Sequence, residues 1–185
     1  MLHLGFTLLL VLGATLRASL GAAFPQDTPK KNCNLSKYQS FLPQETRAVQ
    51  KMKEQFEEIM LLSDRQCNIR LFHRKWKTAE LLVPDRMKLV EAELDFAIDM
   101  LELPAEPKFN ETRQQPLFFL TQAREDVRDC LPTGHVPPGK LRHWLQKLEM
   151  AKETETSGCL EASAILHLFQ MLNDLRCAAL RERCT

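Results

Sequence analysis

The chain has almost no net charge. Its balance is +1 over 185 residues, and once Arg17 in the N-terminal leader is set aside, 24 basic residues face 24 acidic ones. Such a chain has no global field to draw in a phosphate backbone, which argues against nucleic acid or an anionic membrane as partner. Beyond the leader there is no apolar run of the roughly 20 residues a membrane helix needs. No segment alternates with period two over strand length, and there is no tandem repeat. Catalytic and metal signatures are also missing: there is no C-x-x-C, no H-E-x-x-H, no G-x-S-x-G, and no two histidines stand at i, i+4. Nothing calls for a metal or a cofactor.

One motif imitates a nucleotide loop. Gly134-His-Val-Pro-Pro-Gly139-Lys140-Leu141 follows much of the P-loop pattern. Leu141 stands where a hydroxyl must hold magnesium, and Pro137 and Pro138 delete two backbone N–H groups that would cradle phosphate. The segment reads as a loop.

What is present points to export. Leu4 to Leu16 is apolar except for Thr7, Gly13, Ala14 and Thr15, and small residues follow at Ser19, Gly21, Ala22 and Ala23. This is the layout of a signal peptide over residues 1–22, cleaved between Gly21 and Phe24. Residues 23–185 remain as one domain, with composition close to that of soluble globular proteins (44% hydrophobic, 26% charged). All six cysteines lie after the leader: Cys33, Cys67, Cys130, Cys159, Cys177 and Cys184. An even number in an oxidising compartment reads as three disulfides, with the pairing left open. Two N-glycosylation sequons occur, Asn34-Leu-Ser36 and Asn110-Glu-Thr112. Asn110 falls in a stretch that reads as an exposed loop and is the stronger candidate.

Helical periods recur along the domain. Val49, Met52, Phe56, Ile59 and Met60 mark a helix over 43–62, with Pro43 at its first position and Glu45 in its first turn. Leu42 is a poor cap for it. Residues 64–84 lose the period and read as a long tethered loop. It contains the run Phe72, His73, Arg74, Lys75, Trp76, Lys77. The aromatics anchor it, and the charged residues between them are left to face a partner; a heparin or nucleic-acid patch is the other reading of the run. Met87, Val90, Leu94, Ala97 and Leu101 mark a helix over 85–103, capped by Asp85 and stopped by Pro104. Pro116 reads as opening the next helix, which carries Leu120, Ala123, Val127 and Cys130. Leu141, Trp144, Leu145 and Leu148 mark another over 140–151. The last runs over 159–178 with Ile165, Leu168, Leu172 and Leu175 on its core face. The fold class is all-α, a bundle of five to six helices around one core.

The last helix is apolar on more than one side. Leu166 and Phe169 lie on a second face, followed by the polar Asn173 and Arg176. Such a face meets a partner or lies deep in the protein, and its polar residues favour the partner.

Several of these stretches resemble type III (lambda) interferons. They are Gly158-Cys-Leu-Glu-Ala-Ser163, Lys140-Leu-Arg-His-Trp-Leu-Gln-Lys-Leu148, Leu89-Val-Glu-Ala-Glu-Leu94 and Pro43-Gln-Glu45, with Cys33, Cys67, Cys130 and Cys159 in the family's order. The resemblance runs from Cys33 to Cys184. It implies an interleukin-10-like, up-and-down cytokine bundle with a long loop after the first helix. It implies disulfides Cys33–Cys130 and Cys67–Cys159, with Cys177–Cys184 as a third. It also implies a secreted, monomeric antiviral cytokine of innate immunity, without enzymatic activity. Such a cytokine signals through JAK–STAT by pairing a lambda-specific receptor chain with the interleukin-10 receptor beta chain. The lambda-specific chain would meet the 45–62 helix, the 64–77 loop and the last helix. That places Arg65, His73, Arg74, Trp76, Leu166, Phe169 and Asn173 in the receptor site. Two of these depart from the family pattern: Leu166 replaces a phenylalanine and Arg65 a tryptophan. Another secreted helical cytokine or hormone with different receptors shares the architecture.

Overall fold

A computed structural model describes residues 33–61, 67 and 69–185. The leader (1–22) and Arg65 lie outside the described residues. Among the described residues six α-helices follow one another: α1 Pro43–Leu61, α2 Val83–Leu101, α3 Pro107–Cys130, α4 Gly139–Thr154, α5 Ser157–Leu166 and α6 Leu168–Leu180. Short 3-10 turns sit at Ser36–Gln39, Thr78–Glu80 and Arg181–Arg183. No strand occurs among the described residues. The fold is an all-α helical bundle of the cytokine type.

The start of α1 resolves the poor cap at Leu42. The Leu42 N–H donates to the Glu45 carboxylate at 2.9 Å, half of a capping box. Val49, Met52 and Phe56 then face the core. Helix α2 is the axis of the bundle and packs against α3, α4, α5 and α6. It is accordingly buried on most sides, through Leu89, Val90, Leu94, Phe96, Ala97, Ile98 and Leu101. It begins two residues before the expected start, with Leu82 as its N-cap and Pro84 in its first turn. Asp85 is therefore inside the helix rather than capping it. Its buried carboxylate meets His135 Nε2 at 2.7 Å.

Helix α3 overturns the expectation that Pro116 opens a helix. It begins at Pro107 and carries Pro116 in its interior. A proline there costs about 3 kcal/mol or more through a lost hydrogen bond and a ring clash. Packing outweighs that cost. Phe109 is buried and meets Phe56 of α1 at 5.6 Å between ring centroids. Arg113, also buried, donates to the Leu103 carbonyl and to Asn110 Oδ1. Asn110 thus stands in the first turn of a helix, exposed, and not in a loop.

The expected single C-terminal helix breaks at His167, between α5 and α6. Its backbone N–H bonds back to Ala164 O at 3.3 Å, a tightened turn. Its ring Nδ1 lies 2.9 Å from the Ser163 carbonyl. A carbonyl can only accept, so Nδ1 carries the proton.

Disulfides join Cys33 to Cys130, Cys67 to Cys159 and Cys177 to Cys184. They hold the lead-in to the end of α3, the loop to α5, and the end of α6 to the C-terminal turn. The first spans 97 residues and the last 7. If the bridges act by restricting the unfolded chain, removing the pair Cys33/Cys130 should cost about 4–5 kcal/mol and the pair Cys177/Cys184 about 2–3. Urea unfolding of the two double serine variants tests this order, and equal losses would contradict it.

Candidate functional site

The loop before α2 is not a slack tether. Phe72 is buried against Phe96 of α2 and Trp144 of α4, and its ring stacks on His167 at 5.0 Å. Two helices hold its backbone: Trp144 Nε1 donates to Leu71 O at 3.1 Å, and Gln170 Nε2 donates to Phe72 O at 3.1 Å. The Phe72 and Trp144 rings therefore align the loop with the break at His167.

Arg74 is the main correction to the sequence reading. Its guanidinium does not face a partner. It turns inward, with a side chain only 5% exposed, onto Glu93 of α2 at 2.6 Å and onto Asp174 of α6. Thr78 Oγ1 donates to the same Asp174 carboxylate. The planar cation also lies over the Trp76 and Trp144 rings, at 4.9 and 5.5 Å from their centroids. A buried arginine needs paired carboxylates, and both are supplied from distant helices. Glu93 is fully buried and its Oε2 has no hydrogen-bond partner among the described residues. Burial, and then the negative charge of Asp174, push its carboxyl well above the ordinary range despite Arg74.

Around this clamp lies an open cleft of about 550 Å³, walled by the loop and by α6 at Gln170 and Asp174. His73 is exposed on its rim and Trp76 is half-buried. Leu166 and Phe169 are both half-exposed, with Asn173 and Arg176 exposed beyond them. The break at His167 puts Leu166 at the end of α5 and Phe169 at the start of α6, so two helices supply the second apolar face. On their other sides Ile165, Leu168, Leu172 and Leu175 are buried in the core.

Glu93, Asp174, Thr78 and His167 were missed by the sequence reading. A signal existed for the first: Glu93 sits between Val90, Leu94 and Ala97, an acid on an apolar stripe, which in a folded protein calls for a buried partner. The nucleotide-loop lookalike is a loop that opens onto α4, and its Lys140 sits 3.6 Å from Glu80.

Comparison with known proteins settles the family. A family model described as Interleukin-28A matches residues 30–181. The chain is 64% identical over 184 residues to Interferon lambda-3 of Gallus gallus, covering 98% of both proteins. The chain belongs to the type III (lambda) interferons. It is also 33% identical over 180 residues to Interferon lambda-1 of Homo sapiens, covering 95% of this chain and 90% of that protein. With Interferon lambda-2 of Mus musculus it shares 30% over 185 residues, 95% of this chain and 96% of the other. Lambda interferons are cytokines rather than enzymes, and their partners are cytokine receptors. The surface of this family member is therefore to be read as a binding surface.

Two outcomes follow from the clamp. Arg74→Ala leaves two buried carboxylates without their cation and should cost about 3–5 kcal/mol in urea unfolding; a loss near zero would show that the clamp is not formed. The second concerns pH. A carboxyl whose folded pKa lies above its unfolded value of about 4.3 is most favourable to the fold below that value. Its contribution is lost as pH climbs to the folded value. Glu93→Gln keeps an acceptor for Arg74 and removes the titration. As pH rises above about 4.3, the variant's stability should fall less than the parent's. Parallel curves would show that Glu93 is not held protonated.

Proposed function

We propose that this chain is a secreted antiviral cytokine that brings a lambda-specific receptor chain and the interleukin-10 receptor beta chain together on one monomeric bundle. Receptor-associated kinases are then juxtaposed and JAK–STAT signalling follows. The leader over 1–22 supports export. No helix among the described residues is long and apolar enough to cross a membrane.

The observation that carries the receptor assignment is the half-exposed pair Leu166 and Phe169, which flank His167, the residue on which the loop's Phe72 stacks. Apolar side chains at the centre of an interface, ringed by polar ones, supply most of the binding energy in typical complexes. Here the ring is Asn173, Arg176 and His73, with Trp76 on the loop and Arg65 outside the described residues. Arg74 belongs to the same site by holding the loop. We also place N-linked glycans at Asn110 and, secondarily, at Asn34. Both residues are exposed, and Asn34 Oδ1 accepts from Ser36 N and Oγ at 3.0 and 2.7 Å.

Binding of the purified mature chain to the two receptor ectodomains tests the proposal. Phe169→Ala should weaken the lambda-specific chain by about 30-fold, the equivalent of about 2 kcal/mol, with an unchanged circular dichroism spectrum. Unchanged affinity in a folded variant would remove Phe169 from the site. A parent chain that ignores the lambda-specific ectodomain would sink the reading as a whole.

A further inference from the structure

Residues 69–79 and 139–148 contain no aspartate or glutamate. They lie far apart in sequence, yet the fold sets them side by side. The loop runs antiparallel to α4 along one flank of the helix. At one end Lys147 Nζ donates to Arg70 O at 2.7 Å. In the middle Trp144 Nε1 holds Leu71 O at 3.1 Å. At the other end the Lys140 ammonium lies 5.7 Å from the centroid of the Trp76 ring. Positions 140 and 147 share a helix face about 10 Å long.

Six basic side chains of these two segments are exposed: Arg70, Lys75 and Lys77 from the loop, and Lys140, Arg142 and Lys147 from α4. The exposed imidazoles of His73 and His143 lie among them. Among the described residues little neutralises the band. Glu80 sits at its edge, 3.6 Å from Lys140. Glu93 and Asp174 lie beneath it, both committed to Arg74. In a chain whose mature balance is neutral, this is a local segregation of charge, felt over about 8 Å at physiological salt.

We infer that the band formed by the 70–77 loop and α4 binds a sulfated polysaccharide. A row of flexible cations over an elongated track fits a linear polyanion with repeated charges. A bilayer is a poorer fit. The large apolar side chains exposed among the described residues (Leu42, Leu61, Leu82, Phe118, Val136 and Met150) all lie outside both segments, so none of them would carry the band into a headgroup layer. A single-stranded nucleic acid needs open aromatic faces for stacking, and the Trp76 ring is already faced by Arg74 and Lys140. The band shares His73 and Trp76 with the receptor surface proposed above. On that reading, polysaccharide and lambda-specific receptor chain compete for one face, and sulfated chains on cells or matrix regulate how much cytokine is free to signal.

Heparin immobilised on a sensor surface is the probe. The mature chain should be retained near physiological salt. The triple variant Lys75→Ala, Lys77→Ala, Lys140→Ala should bind about tenfold or more weakly, with the slope of log Kd against log salt reduced by about three, roughly one for each cation removed. A control losing three exposed cations elsewhere, Arg47→Ala, Lys51→Ala, Lys108→Ala, should bind like the parent. Soluble heparin should also lower capture of the parent by the lambda-specific ectodomain. No retention of the parent, or an equal loss in the control, overturns the proposal. So does binding to phosphatidylserine vesicles, but not to heparin, that the triple variant loses. Absence of competition overturns the shared face. The heparin measurement needs no receptor, so a failure of receptor binding by the parent would be seen separately.

Discussion

The loop before α2, and the face it forms with α6, depend on one buried cation. The Arg74 guanidinium joins a loop without regular structure to α2 through Glu93 and to α6 through Asp174. Two carboxylates this deep would repel each other and favour solvent, so the helices need the loop as much as the loop needs the helices. The arrangement specifies position more than it adds stability, because desolvation of three ionisable groups consumes most of the Coulomb gain. Trp76, Trp144 and Phe72 then fill the space around the planar cation. A surface presented in this way is largely formed before its partner arrives, which limits the ordering that binding must impose.

The second consequence lies in the helix break. A ten-residue α5 and a thirteen-residue α6 meet at His167, where the helical register is interrupted. His167 makes the offset possible, since its ring occupies a carbonyl at the joint while stacking on the loop. The loop and the broken helix are thus parts of the same joint, and Leu166 and Phe169 project from either side of it.

Much of this was legible in the residues. Val49, Met52 and Phe56 on α1, and Val90, Leu94 and Ala97 on α2, repeat at helical intervals, and each is buried. Periodicity reports which face is inside, because burial is what the spacing encodes. Pro116 misled for a physical reason. Its local penalty is real, but Phe109 packing on Phe56 across the bundle overrides it, and a local signal carries no record of a partner so far away. Arg74 misled in the same way. In a run of basic residues nothing marks one side chain as turned inward, since its counter-charges lie 19 and 100 positions further along the chain. The break at His167 was hidden by unbroken helix-forming sequence on both sides.

The bridges can be read as a covalent map of where this molecule tolerates a cut. Cys33–Cys130 and Cys67–Cys159 overlap, so a single backbone scission anywhere from the lead-in to the start of α5 leaves two pieces still tethered. Cys177–Cys184 does the same for the C-terminal turn. Between Cys33 and Cys184, only the interval between Cys159 and Cys177 lies under no bridge. That interval holds most of α5, the joint at His167 and most of α6. Its peptide bonds rely on helical hydrogen bonding and on a core-facing row of side chains instead of sulfur. Against a single cut the molecule is thus held covalently along its surface loops and by burial along α5 and α6.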